Sequence, residues 1–428
     1  MRISTDKPAE SHTEPACSRE DGGGFSAFQW ALIGVSMAKA FLLYLDRTCM
    51  GAVVQSDAFQ QEMALDKAAV GSVMSAFFFA YALGQIPAGW LADRFGSHRM
   101  LGWYVVLWSG CTALTGLVSS LGNLVAVRMA CGLAEAGAYP SIAALVGKCF
   151  GPVGRARASG MVAMGGRMGN ALALGLTAWA IAQLGGWRMV LFAYGIAGIL
   201  LVGVGRRFLK DVPVCDPVPG SGDGFPWGAL VTNPGLWIFN LGAIGMNLGW
   251  AFLVTWLPAY LREVRGMDAV HSGTYISWAL GFGMTGMLFG GWLGDVCVRR
   301  YGQRWGRRIP ILVGGGVAAL CYMLVPFLPS AQWAVCACAL VAFASDSVTP
   351  SIWGIVQDMG GQKVASTMAW VNMWGNLGAS LVAKIIPWVL LSRWHRPDWF
   401  EVFVLCAGGF LALGISALAV DTNRRSDA

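Results

Sequence analysis

The sequence predicts an all-α membrane protein: twelve transmembrane helices in two pseudo-symmetric six-helix bundles. Three observations carry that prediction. Of 428 residues, 56% are hydrophobic and only 12% are charged, with a mean hydropathy of +0.57; a soluble domain averages about 25% charged residues. The apolar residues gather into runs of about 20 or more, the length that crosses a hydrocarbon core. The two halves also repeat, because Gly-Trp-Leu-x-Asp occurs at 89–93 and again at 291–295. Inside lipid the backbone must satisfy its own hydrogen bonds, so the spans are helices or a closed barrel. Strict period-2 alternation is absent and the runs are too long for barrel strands.

The elements follow in order. Residues 1–24, "MRISTDKPAESHTEPACSREDGGG", are polar and mixed in charge, without the apolar stretch of a leader, and predict a disordered cytoplasmic tail. A first bundle over 25–208 holds spans near 27–54, 68–93, 99–119, 121–147, 156–184 and 187–208. A Pro-, Gly- and Asp-rich stretch, "KDVPVCDPVPGSGDGFPWG" (210–228), marks a cytoplasmic linker over 209–233. A second bundle over 234–421 holds spans near 234–261, 272–297, 309–329, 332–357, 364–391 and 397–420, and a cytoplasmic tail closes the chain at 422–428.

Lys and Arg orient the spans. With both ends inside, 19 fall in cytoplasmic segments, six in outer segments (Lys67, Arg188, Arg262, Arg265, Arg393 and Arg396) and five within spans (Lys39, Arg47, Arg128, Arg167 and Lys384). The net charge of +7 therefore reflects topology and does not argue for nucleic acid. The 11 cysteines lie mostly in apolar runs without a CxxC pair, and the four histidines are scattered. No disulfide framework, metal site or other cofactor is expected. No nucleophile–base pair or phosphate loop suggests an enzyme.

Gly89, Leu91, Ala92, Asp93, Arg94, Gly96 and Arg99 match, almost position by position, the loop motif of the major facilitator superfamily. Gly291, Asp295, Arg299 and Arg300 repeat it in the second half. Small glycines there allow helix contact, and the Asp and Arg can form an ion pair with a neighbouring helix that closes one side. "YLDRTCMGA", "RMACGLAEAGAYPS" (128–141), "VTWLPAYL" (254–261) and "VNMWGNLGA" (371–379) resemble the anion:cation symporters. That group comprises galactonate, glucarate and hexuronate transporters and their vesicular glutamate and sialic-acid relatives. The resemblance covers essentially the whole membrane portion. It implies the major facilitator fold and proton-coupled symport of an organic anion, most simply a sugar acid, by alternating access in a bacterial inner membrane. One chain holds both halves of such a site, so a monomer suffices.

The resemblance also assigns roles. Tyr44 and Arg47 would bind the anion, Asp46 and Glu135 would carry the coupling proton, and Arg128 would modulate Glu135. The residues themselves support a polar cavity. A charge at the bilayer centre costs at least about 2.5–3.5 kcal/mol, so such groups persist where they line one. A guanidinium fork suits a carboxylate. Asp46 points about 100° from Arg47 around a helix and need not neutralise it. Lys39 precedes Asp46 by seven residues on nearly the same face, a long reach for a bridge.

In the fifth span Gly165, Gly169 and Ala173 recur every four residues as a packing ridge. Sugar-acid transporters often place a Gln where this chain has Gly166, followed by Arg167. A second guanidinium could serve a diacid or phosphate-bearing substrate, or pair with Glu135. Asn372, by its family position, and Asn376 offer donors and acceptors to hydroxyls, as do Asn240 and Asn247. Trp250 could stack on a substrate face, while Trp256 and Tyr260 suit an interfacial belt. Asp346 and Lys384 could pair, or Lys384 could be a third anion contact. Five basic against three acidic groups within the spans predict a positive cavity. Alternatives are carriage of a dicarboxylate or aromatic acid, a drug antiporter, and a non-transporting receptor. No Pro lies between Pro152 and Pro213, against the Gly-Pro motif of the fifth helix in multidrug antiporters.

Overall fold

The computed structural model describes residues 24–63, 65–208, 225–391 and 399–420. The expected tails at 1–24 (but for residue 24) and 422–428, and most of the expected linker over 209–233, lie outside the described residues. Fifteen α-helices make up the described chain, running from α1 (Ala27–Val53) to α15 (Trp399–Ala419).

The first half begins with α1, capped reciprocally: Gln29 N–H donates to the Ser26 hydroxyl, and Ser26 N–H donates to Gln29 Oε1. A short α2 (Asp57–Met63) leads to α3 (Lys67–Phe95) and α4 (Ser97–Thr115). These two join through Gly96, whose φ of 92° lies in a region that favours glycine. The fourth expected span is two helices, α5 (Leu121–Glu135) and α6 (Ala138–Cys149). Their break follows Glu135 directly, and at Gly137 a Cβ would strike the ring of Tyr104. Helices α7 (Arg155–Leu184) and α8 (Trp187–Phe208) complete this half.

The second half has a short α9 (Trp227–Val231), then α10 (Pro234–Thr255) and α11 (Leu257–Glu263). One long helix, α12 (Ala269–Leu324), bends at Gly302 (φ 74°) and supplies both the eighth and the ninth expected spans. Helices α13 (Ala331–Gly360), α14 (Val364–Leu391) and α15 follow. Among the described residues eight stretches are apolar and long enough to cross a membrane, one of them α5 and α6 together, or nine with the bent α14. Counting both limbs of α12, and adding α4 and the Gly- and Arg-interrupted α7, gives the twelve expected spans.

The halves pack alike. In the first, α1 lies on α7, α3 on α5 and α4 on α8; in the second, α10 lies on α14, and α12 on α13 and α15. Between halves α3 meets α14 and α7 meets α12, the same pair of contacts turned about a pseudo-two-fold axis. The small-residue ridge of α7 packs as expected: a Cβ at Gly165 would stand 2.5 Å from the Met37 carbonyl oxygen on α1, and Gly169 abuts Phe41.

Candidate functional site

The repeated motif works at one end of the molecule, here the arginine-rich end. Gly89 on α3 touches α14 so closely that a Cβ would lie 2.6 Å from Ala369 Cβ and 2.7 Å from Ala365 O. One turn on, the Asp93 carboxylate accepts the backbone N–H groups of Ala365 (3.1 Å) and Ser366 (2.7 Å), the orphan donors at the start of α14. Gly291 and Asp295 repeat this on α12 against the start of α7. A Cβ at Gly291 would lie 2.9 Å from Arg157 Cα. Asp295 faces the backbone of Gly154 and Arg157, with Arg157 Nε 3.3 Å from its Oδ2. Each half thus presents a carboxylate to a helix N-terminus of the other, where the helix dipole favours negative charge.

The motif's arginines behave differently from expectation. Arg94 is exposed and stacks on Trp90 and Phe95 at 5.0 and 5.6 Å, and Arg99 and Arg299 are exposed as well. Asp93 is held by backbone amides instead of a guanidinium. Besides Asp295 with Arg157, this end is held by residues that the sequence did not single out. Asp358 on α13 accepts Arg155 Nη1 at 2.7 Å on one oxygen and Arg307 Nε at 3.0 Å on the other. Arg307 also donates to Pro152 O, and Gln357 donates to Ala143 O. The sequence reading counted Arg155 and Arg307 as loop charges, yet Arg307 is fully buried.

Deeper between the halves lies the charged cluster. Arg47 Nε donates to Glu135 Oε2 at 3.0 Å, so the partner of Glu135 is Arg47 and not Arg167. The Arg47 guanidinium stands over three rings: Tyr81 at 4.3 Å, Tyr44 at 5.0 Å and Phe77 at 5.4 Å. Its Nη2 is buried without a hydrogen-bond partner. Such a cage suits a guanidinium, which is weakly hydrated and stacks on aromatic faces. Arg128, buried, stacks on Phe77 at 4.5 Å and lies within electrostatic reach of both Asp46 and Glu135. The Asp46 carboxylate is 1% exposed and neither oxygen makes a hydrogen bond of normal geometry, although the Trp108 indole is a near neighbour.

Across from this cluster, Arg167 reaches from α7 into the second half. Its Nη2 stands 2.7 Å from Asp346 Oδ1 on α13, and its guanidinium lies 4.0 Å over the Trp250 ring of α10. The expected pairing of Asp346 with Lys384 is therefore corrected. Asp346 is buried and taken by Arg167, while Lys384 is exposed on α14 with no carboxylate partner among the described residues. Lys39 does not bridge to Asp46. It packs by Gly205, and its electrostatic neighbour is His98. The balance within the central cluster is three basic (Arg47, Arg128, Arg167) against three acidic groups (Asp46, Glu135, Asp346). It is not the five against three counted over whole spans.

The amides also resolve. Asn372 Nδ2 donates across the halves to Gln85 Oε1 (3.1 Å) and the Tyr81 hydroxyl (3.3 Å). Asn376 and Asn247 donate to carbonyls of their own helices, Asn372 O and Ala243 O. Asn240 is buried with neither amide atom hydrogen-bonded. Tyr260 is not a belt residue: it is buried among Trp399 and Phe403 and accepts from Arg265. Where relatives were expected to carry Gln, a side chain at Gly166 would collide with the Tyr139 hydroxyl and the Tyr44 ring. Tyr139, also missed in the sequence, stacks edge-on with Tyr44 (6.0 Å) and with Trp353 of the other half (5.2 Å). Its only sequence signal is its place four residues after Glu135, one turn on across the break.

Comparison with known proteins agrees with this architecture. Over 406 residues the chain is 27% identical to a probable sulfoacetate transporter of Cupriavidus necator, covering 91% of this chain and 92% of the relative. It is 26% identical to a probable galactarate/D-glucarate transporter of Bacillus subtilis (85% and 86% covered) and 26% to a probable L-galactonate transporter of Escherichia coli (88% and 86%). Among solved structures, the transporter FucP in its outward conformation superposes with a TM-score of 0.67 at 13% identity, covering 91% of this chain and 98% of that one, which speaks to the fold alone. The profile of the Major Facilitator Superfamily matches residues 38–383. With twelve spans in two pseudo-symmetric bundles and a charged cluster between them, the chain is an integral membrane transporter of the major facilitator superfamily.

Proposed function

We propose that this transporter carries an organic anion, most simply a sugar acid, in symport with protons. The observation that carries the reading is Arg47. It is a guanidinium caged by first-half rings, one of which, Tyr81, meets Asn372 of the second half; its Nε is held by Glu135 and its Nη2 has no hydrogen-bond partner. A substrate carboxylate can take the whole fork of Arg47 only where Glu135 releases it. A proton on Glu135 removes the charge that binds Arg47, so protonation and anion binding favour one another. Asp46, buried and without a hydrogen bond, is the second group from which a proton lifts the cost of a bare charge. Arg128 lies within reach of both.

Tyr44 supports the carboxylate end. Asn376, Asn247 and Trp250 meet the hydroxylated body of the substrate, and Asn372 ties substrate binding to Tyr81 and Gln85. Lys384, exposed on α14, offers a further cation to the anion. The motif residues Gly89, Asp93 and Asp295 close the arginine-rich end, with Arg94, Gly96, Arg99 and Arg299 around them. By the distribution of Lys and Arg that end is cytoplasmic, together with both termini, so the structure corresponds to an outward-facing state. Rocking of two bundles, 25–208 and 234–421, about the cluster would expose the site to each side in turn.

The test is uptake by proteoliposomes of galactonate, glucuronate and glucarate, with and without an inward proton gradient. Accumulation of an acid only with the gradient, abolished in Arg47→Ala, is the expected result. Gradient-independent uptake would return Asp46 and Glu135 to structural ion pairing. Normal uptake by Arg47→Ala would remove the anion contact.

A further inference from the structure

Resting on the anion-transport reading and deepening it, we propose that the substrate carries two anionic groups, one taken by Arg47 and the other by Arg167. The two guanidinia flank one aromatic wall. Arg47 stands 5.0 Å over Tyr44, Tyr44 packs edge-on with Tyr139 at 6.0 Å, and Gly166, next to Arg167, lies so close to this pair that a Cβ there would collide with the Tyr139 hydroxyl and stand 2.9 Å from the Tyr44 ring. Each guanidinium holds a carboxylate, Glu135 at 3.0 Å and Asp346 at 2.7 Å.

The two pairs differ in what they join. Arg47 and Glu135 both belong to the first half. Arg167 reaches from the first half onto Asp346 and Trp250 of the second, so it straps the halves together at the level of the site. A monoanion on Arg47 leaves that strap in place. A dianion reaches Arg167 as well, competes with Asp346 for it and releases α7 from α13. A ligand shifts a conformational equilibrium only by its differential affinity for the two states, and here the second charge supplies that difference. The filled space at Gly166 agrees: no amide reaches the substrate from that position, and the next residue offers a cation.

The experiment uses the full chain in proteoliposomes with an inward proton gradient and three matched pairs: D-glucarate and D-gluconate, succinate and butyrate, sulfoacetate and acetate. Uptake of a dianion over its matched monoanion by at least about tenfold is expected, the scale of one charge-assisted contact. That ratio is expected to fall toward one in Arg167→Gln and to persist in Asp346→Asn. Because the ratio is internal to each variant, a loss of folded protein lowers both members and leaves it unchanged. Equal or preferred uptake of monoanions, or an unchanged ratio in Arg167→Gln, would overturn the dianion proposal and leave anion transport standing. No uptake of any member by the wild type would overturn the anion reading and this proposal with it.

Discussion

The two ends of the molecule are bonded in opposite ways. At the arginine-rich end the bonds run between halves: Asp93 to α14, Asp295 to Arg157, Asp358 to Arg155, and Arg307 to Pro152 O. At the opposite end, among the described residues, the bonds stay within a half. Glu62 on α2 accepts Arg188 and Trp187, and Arg188 donates on to Gly116 O, all in the first half. Arg265 donates to Leu328 O and Val325 O, all in the second. The difference teaches that one end is a breakable seal between rigid bodies, while the other stiffens each body separately.

The largest way to break this contrast is at Asp358. Asp358→Ala leaves two guanidinia without their shared carboxylate, and removing one partner of a buried pair costs about 3–5 kcal/mol. The part of that cost that comes from Arg155, the partner in the other half, falls on the closed arrangement. Amide exchange at Val364–Trp370 and Arg155–Met161 is expected to speed up by at least about tenfold, read by mass spectrometry. Next is Gly89→Val, which forces a side chain against Ala365 and Ala369. Overpacking costs about 1–3 kcal/mol, and faster exchange is expected at the start of α14 with little change in α7. Asp93→Ala removes two accepted N–H bonds from the same helix start and is expected to weaken the seal by about 0.5–2 kcal/mol.

Much of this was legible in the sequence because membrane physics is strict. Span length, the 89–93 and 291–295 repeat and the Lys/Arg bias follow from rules that act on local sequence. So does the expectation that Asp46, Arg47, Arg128 and Glu135 gather, since a charge in an apolar run needs a polar neighbour. Partner choice was not legible. Whether Asp346 meets Lys384 or Arg167 depends on packing between α7 and α13, which lie nearly two hundred residues apart in the chain. Tyr81, Gln85 and Tyr139 are ordinary residues for a span and gain meaning only from facing Asn372, Arg47 and Gly166. Arg155 and Arg307 looked like loop charges because a count by topology cannot tell a snorkelling arginine from one sealed against Asp358.

The smallest predicted effect sharpens the contrast at the opposite end. The hydrogen bonds from Arg188 hold the exposed Glu62 carboxyl below the usual carboxylate range. A carboxyl with a depressed folded value contributes stability above its unfolded value of about 4.3, and that contribution is lost as pH falls through the folded value. In thermal unfolding, wild type is expected to exceed Glu62→Gln slightly at pH 7, the gap closing on acidification toward pH 3. Exchange at the arginine-rich end is expected to be the same in both proteins.

The central claim is that the two ends alternate around one site. It is tested most directly by amide exchange over the whole chain, comparing wild type with Asp358→Asn in lipid nanodiscs. The account predicts that exchange rises at the starts of α7 and α14 and falls at α2 and α11, because opening one end closes the other. A rise confined to the neighbourhood of Asp358, or a rise at both ends together, would contradict it.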